Sequence, residues 1–252
     1  MALLEVEGAT VQFGGLTAVS DVSFTVEPGT VRALIGPNGA GKTTLFRAIA
    51  RDEQLSRGSV RFRGEPIHQL TPNEVSRRGV RRTFQNGGLF GDLTALENVL
   101  TGLHIEIDSS LLGLVVGSKR SRASERAATR RARELLEMMG IGHVADQFAR
   151  DLSGGQQRMV EIVRALATDP PLLLLDEPAV GLAPPVRLEL LEIIRRLVET
   201  RGTAVLLIEH AIEFVMTVSD SIMVLNNGTL IAEGTPDEVR QNREVLEAYL
   251  GR

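Results

Sequence analysis

Gly36-Pro37-Asn38-Gly39-Ala40-Gly41-Lys42-Thr43-Thr44 is the stretch around which the chain is organised. It follows the apolar run Val31-Arg32-Ala33-Leu34-Ile35 and precedes a helical segment over residues 45–51. Strand, glycine-rich loop and helix is the setting in which a GxxxxGK(S/T) sequence cradles phosphate. Glycines at 36, 39 and 41 permit unusual torsions and let amide N–H groups converge on an anion. The N-terminus of the following helix adds unpaired donors and the positive end of its dipole. Lys42 supplies a mobile cation for outer phosphates, and the Thr43 hydroxyl is a hard oxygen ligand suited to Mg²⁺. The plainer alternative, a glycine-rich turn before a helix with a surface lysine, leaves the filling of every fixed position unexplained.

With 252 residues the chain can bury a full core and is expected to form one or two domains. Its apolar and charged fractions, 43% and 24%, are those of an ordinary globular protein. A net charge of −4 gives no reason to expect nucleic acid as a partner. Without cysteine there is no disulfide framework and no thiolate chemistry, in keeping with a reducing compartment. Met1-Ala2-Leu3-Leu4-Glu5-Val6-Glu7 lacks a basic region ahead of a long apolar core, so no secretory signal is expected. No stretch approaches the ~20 apolar residues of a membrane span; the longest runs are residues 111–116 and 172–175. The expectation is a soluble protein that meets a membrane only through a partner.

Residues 3–35 read as short strands, with Val22-Ser23-Phe24-Thr25-Val26 alternating and Glu27-Pro28-Gly29-Thr30 as a turn. Ser59-Val60-Arg61-Phe62-Arg63-Gly64 alternates again. From about residue 89 to 168 the period becomes helical. Ala128, Ala132, Leu135, Leu136 and Met139 share one face that stops at Gly140, and Met159, Ile162, Val163 and Leu166 share another. Leu172-Leu173-Leu174-Leu175 and residues 203–208 have the continuous apolar character of strands buried on both faces. Between them Pro184-Pro185 opens a helix with Val186, Leu190, Ile193, Ile194 and Leu197 inward, and an expected Glu192–Arg196 pair. Residues 221–225, the turn Asn226-Asn227-Gly228 and residues 229–232 read as a hairpin, followed by helices near 236–240 and 243–250. The organisation expected is one α/β domain: residues 1–88 and 169–252 as core, about 89–168 as a helical insertion.

Asp176-Glu177 closes the 172–175 strand, at the sheet edge where ligands of open α/β folds collect. Asp176 can help hold a Mg²⁺ shell while Glu177 orients, or takes a proton from, an attacking water. Alone, the pair would be an ordinary strand end. Leu152-Ser153-Gly154-Gly155-Gln156 opens the 159–166 helix and has the chemistry of a second anion site, or of a plain helix cap with Ser153 as N-cap.

Residues 36–43, 152–156 and 172–177, in that order and spacing, resemble the ATP-binding cassette (ABC) transport ATPases over nearly the whole chain. The resemblance implies a P-loop NTPase, RecA-like core with an antiparallel β subdomain and an inserted helical subdomain. It implies ATP and Mg²⁺ as ligands, and two cassettes paired head to tail. Each ATP then lies between one subunit's 36–44 loop and the other's signature loop of Leu152, Ser153, Gly154, Gly155 and Gln156, which accounts for two anion sites in one chain. It further implies that Gln85 reaches Mg²⁺ and the attacking water, that His210 contacts the γ-phosphate, and that Phe13 stacks on adenine. Read alone, Gln85 carries no meaning, His210 is a structural histidine at a strand end, and Phe13 is equally a core residue; His68, His104 and His143 match nothing. After the carboxylates the family pattern has a loop ending in Asp; Ala183 stands there, which raises the expectation of a heterodimer with unequal sites, a homodimer being the alternative.

Phe13-Gly14-Gly15-Leu16-Thr17-Ala18-Val19, Arg82-Thr83-Phe84-Gln85, Leu206-Leu207-Ile208-Glu209-His210 and Glu247-Ala248-Tyr249-Leu250-Gly251 are similar to the ATPases of branched-chain amino acid importers. That resemblance implies membrane permease subunits, an indirect link to a periplasmic or extracellular solute-binding protein, and a place on the cytoplasmic face of the membrane. Urea importers and lipopolysaccharide exporters use close relatives. A non-transport cassette ATPase is the remaining rival, without the tandem cassettes or coiled coil common there; a regulatory module without turnover would lack Glu177 or His210. Lys119, Arg120, Arg122, Arg126, Arg130, Arg131 and Arg133 face only Glu125 in the local sequence, and read as a solvated helix face or a contact with anionic headgroups or the membrane subunit.

Overall fold

The structure, a computed structural model, describes residues 1–83, 88–103 and 119–250. Strands β1 (Leu4–Phe13) and β2 (Leu16–Val26) precede β3 (Val31–Ile35) and helix α1 (Lys42–Ile49). Then come β4 (Arg57–Phe62), β5 (Glu65–Pro66), α2 (Pro72–Arg77) and β6 (Val80–Arg82). Helices α3 (Ala95–Leu103), α4 (Lys119–Met138) and α5 (Gly154–Leu166) lead to β7 (Leu172–Asp176) and α6 (Pro184–Arg201). The chain closes with β8 (Ala204–Ile208), α7 (Ile212–Val218), β9 (Ser221–Asn226), β10 (Thr229–Gly234), α8 (Pro236–Gln241) and α9 (Arg243–Leu250). Two compact units result: residues 1–82, 171–180 and 191–252 form one, residues 83–170 and 181–190 the other. The helical unit therefore takes residues 181–190 as well as the inserted segment.

The first unit holds two sheets, one of order β2-β1-β4-β5 and one of order β10-β9-β3-β8-β7-β6. In the larger sheet β9, β3, β8, β7 and β6 are parallel, and β10 returns antiparallel. Strands β3, β7 and β8 are buried at every position, as a sheet covered on both faces requires. Side-chain alternation divides them between two cores. Leu34, Leu172, Leu174, Leu206, Ile208, Met223 and Leu225 face one, and Ala33, Ile35, Ile222 and Val224 the other.

Where short strands were expected over residues 3–35, β1 and β2 form one long hairpin of 10 and 11 residues. Register shifts beyond Val6 absorb the irregularity. Gly8 at φ 58° and Asp21 at φ 52° take the left-handed torsions that bend such strands without ending them. The Asn227-Gly228 turn, with φ of 45° and 81°, joins β9 to β10 as the two-residue connection its sequence favours.

In the second unit Ala132, Leu135, Leu136 and Met139 are buried, and Gly140 ends the helix at φ 70°. The basic helix is less unopposed than its own sequence suggests. Arg131 grips Asp169 with two bonds of 2.6 and 2.7 Å, and Arg133 meets Asp146 at 2.7 Å. Those acids come from outside α4, beyond the reach of a count along one helix. On α6 the pair seen is Arg195–Asp220 at 2.9 Å; the expected Glu192–Arg196 pair is not formed among the described residues, and an exposed pair of that kind gains little. No helix among the described residues is long and apolar enough to cross a membrane.

Leu206 lies fully buried in the central strand β8. Leu206→Ala should cost about 2–5 kcal/mol, seen as a lower urea midpoint with an unchanged m-value.

Candidate functional site

The loop between β3 and α1 owes its path to two glycines. A Cβ on Gly36 would overlap the Leu225 carbonyl, and one on Gly41 would overlap the Ala18 carbonyl. Both residues also sit at positive φ, 148° and 97°, so neither tolerates a side chain. The loop is pinned from outside by the Gly228 amide, which donates to the Ala40 carbonyl at 3.0 Å. Pro37 is half-buried, and Asn38 and Gly39 are exposed. Gly41 is the N-cap of α1 and brings no side-chain cap, which leaves the first amides of the helix, at Lys42, Thr43 and Thr44, aimed outward.

Lys42 is 6% exposed and folds back over the loop, its ammonium donating to the carbonyls of Gly36 at 2.8 Å and Pro37 at 2.9 Å. Burial pushes its pKa below the usual lysine value, while Glu177 and Asp176 pull it upward. The phosphate loop and the 176–177 carboxylates thus act on the same ammonium.

The parallel register pairs Asp176 with Ile208, so β7 and β8 leave the sheet side by side. Asp176 is wholly buried and bound to the Arg82 guanidinium at 2.9 Å; Arg82 also holds Asp52 at 3.0 Å. Glu177 takes φ 50°, a left-handed torsion that an L-residue adopts at a cost. Its amide donates to the Ile208 carbonyl at 2.8 Å. The turn points its carboxylate at His210, with Oε1 and Nε2 2.8 Å apart. Both groups keep contact with solvent, at 19% and 39% exposure.

In the helical unit Ser153 caps α5 through a capping box: its hydroxyl accepts from the Gln156 amide, and the Gln156 carboxamide oxygen accepts from the Ser153 amide at 2.9 Å. The plain-cap reading of Ser153 is therefore correct as far as it goes. Leu152 is buried beneath, and Gly154 opens on empty space, a Cβ there meeting nothing within 4 Å. Phe13 is 46% exposed at the end of β1, not in the core. It belongs to the hairpin whose second strand lays Ala18 against Gly41. Gln85 lies outside the described residues.

A family model described as "ABC transporter" matches residues 19–180, and one described as "Branched-chain amino acid ATP-binding cassette transporter" matches residues 229–252. The chain belongs to the ABC transporter family. Over 249 residues it is 43% identical to the high-affinity branched-chain amino acid transport ATP-binding protein BraF of Pseudomonas aeruginosa, covering 99% of this chain and 98% of that protein. A nucleotide-free ATP-binding cassette from an ABC transporter superposes with a TM-score of 0.87 at 34% identity, covering all of both chains. The ADP conformation of the cassette MJ1267 does so with a TM-score of 0.85 at 33% identity, again over all of both chains.

Within this ABC ATPase three site neighbours escape a reading by motif. Arg82 was visible only as part of Arg82-Thr83-Phe84-Gln85, yet it is the cation against Asp176. Glu209, 1% exposed, sits between Ile208 and His210 and was passed over for the histidine. Tyr249 of α9 comes beside the Gly36 amide; partial burial raises its phenol pKa and that amide lowers it. Spacing marks none of the three, because each has a partner distant in sequence: Asp176 for Arg82, Ala179 for Glu209 and Gly36 for Tyr249. Removing Arg82 as Arg82→Met should leave Asp176 buried without its cation and cost about 3–5 kcal/mol. Urea denaturation of the nucleotide-free protein measures it.

Proposed function

We propose that the chain is the ATP-hydrolysing subunit that energises uptake of branched-chain amino acids across a membrane. The observation that carries the catalytic part is the gathering of Lys42, Asp176, Glu177 and His210 at one edge of the parallel sheet. The transported class rests on the match of residues 229–252 and on the relationship to BraF.

Phosphates of ATP are bound by the amides of Gly39, Gly41, Lys42, Thr43 and Thr44, with Gly36, Pro37, Asn38 and Ala40 shaping the approach. Lys42 exchanges its two carbonyl acceptors for phosphate oxygens. Glu177 orients the attacking water and takes its proton as the γ-phosphorus–oxygen bond to ADP breaks. His210 holds the Glu177 carboxylate by donating from Nε2 and turns toward the γ-phosphate in the closed state. Phe13, exposed on its hairpin, offers a ring face to adenine. Thr43 and Asp176 are all-oxygen donors of the kind Mg²⁺ takes, with Gln85 as a further ligand. When bound, that ion offsets the negative charge of the phosphates.

Leu152, Ser153, Gly154, Gly155 and Gln156 serve the nucleotide of a second cassette subunit, which binds head to tail. Ala183 is exposed and brings no carboxylate to that contact; a different partner chain could supply one, which favours a heterodimer with unequal sites, two copies of this chain being the alternative. The pair works on permease subunits from the cytoplasmic face, and through them on a solute-binding protein.

Glu177→Gln should keep nucleotide affinity within about twofold while turnover falls about 10²–10⁴-fold and the closed dimer accumulates. Lys42→Ala should instead raise the nucleotide Kd about tenfold or more, since a cation over phosphate is lost. Titration with a fluorescent ATP analogue and a phosphate-release assay separate the two; wild-type turnover in Glu177→Gln removes that residue from its role. Cells carrying Glu177→Gln in the chromosomal copy should lose uptake of radiolabelled leucine, isoleucine and valine, and undiminished uptake rules out the transported class.

A further inference from the structure

Glu209 is a buried carboxylate to which the mechanism above gives no task. It occupies the step after Ile208, where β8 ends beside Asp176, and it is 1% exposed. Its two oxygens serve different segments. Oε1 accepts from the Ala179 amide at 2.7 Å, across 30 residues of sequence. Oε2 accepts from the amides of His210 at 2.7 Å and Ala211 at 3.2 Å. Ala179 lies two residues beyond Glu177, and the Glu177 amide is itself tied to the Ile208 carbonyl. One carboxylate thus fixes the backbone on both sides of the Glu177–His210 contact.

A buried carboxylate accepting three amides is a poor choice for stability alone, because a neutral residue would avoid the desolvation of its charge. Its geometry is specific. The three N–H groups need acceptors on both arms, and among side chains only a carboxylate offers two acceptor oxygens and no donor. Glu177, in its left-handed torsion, needs such support, since a strained torsion persists only where its surroundings over-determine it. We propose that Glu209 is a positioning residue for ATP hydrolysis, clamping the turn after Glu177 to the turn that carries His210 so that the two move as one piece. This rests on the catalytic reading of Glu177 and His210.

Glu209→Gln is the discriminating variant. One arm of the carboxamide still accepts, while the other presents N–H to N–H and releases either Ala179 or the His210–Ala211 pair. In the full chain kcat should fall about tenfold or more while KM for ATP changes less than about twofold, the pattern of an interaction used only in the transition state. In a His210→Ala background the same substitution should cost less than about threefold further, because both changes act through one unit. Glu209→Asp, which keeps two acceptors, should recover part of kcat. Faster hydrogen exchange is expected in Glu209→Gln on the released arm, at the Ala179 amide or at the His210 and Ala211 amides, and is measured without any turnover. A wild-type kcat in Glu209→Gln overturns the clamp. So does a multiplicative loss with His210→Ala, or a parallel loss of nucleotide affinity and melting temperature that Glu209→Asp does not relieve. A wild-type chain that binds no nucleotide would instead overturn the function proposed above, while amide exchange still decides the clamp.

Discussion

Parallel pairing of β3, β8 and β7 is the constraint on which the site depends. Parallel strands leave a sheet at one common edge, so whatever follows their last residues is brought together whatever its separation in sequence. The pairings Leu34–Ile208 and Asp176–Ile208 make β8 the shared ruler. From it the phosphate loop departs on one side and the 176–177 carboxylates on the other, with Glu209 and His210 between them. The apolar strand sequences that force burial on both faces are therefore also what sets the spacing of the polar groups. A core substitution in β8 acts on the site through that ruler.

Charge at this edge is arranged so that each buried ion has a counterpart before any ligand arrives. Asp176 has Arg82, the Lys42 ammonium has two carbonyls, and the Glu209 carboxylate has three amides. Burying these groups without partners would cost several kcal/mol each. The partners differ in how they can be replaced. Carbonyls holding Lys42 give way readily to phosphate oxygens, which bind an ammonium more strongly, whereas Glu209 has no competitor for its amides. Binding can thus rearrange the lysine while leaving the frame around Glu177 intact.

What the sequence discloses follows from whether the chemistry is local. The strand–loop–helix over residues 31–49, the Ser153 cap and the Asp176-Glu177 strand end were legible because each needs particular residues at neighbouring positions, and the all-apolar strands because burial on two faces leaves no alternation. The long β1–β2 hairpin was read as short strands; Gly8 and Asp21 bend it without ending it. The acids opposite Arg131 and Arg133, the cation on Asp176, the clamp by Glu209 and the approach of Tyr249 to Gly36 join residues that only the fold makes neighbours. No spacing rule reaches across the 94 positions that separate Arg82 from Asp176. That residues 152–156 serve a second subunit's nucleotide came from family resemblance, as the residues themselves fit an anion site and a plain cap alike.

The central claim is that the loop opened by Gly36 leaves its amides free for phosphate and that ATP occupies them. Site-resolved hydrogen exchange of the full chain, with and without ATP and Mg²⁺, tests it directly. Exchange at the amides of Gly39, Gly41, Lys42, Thr43 and Thr44 should slow on adding nucleotide, and Lys42→Ala should weaken that protection. Unchanged exchange across these amides at a nucleotide concentration that saturates binding would contradict the account.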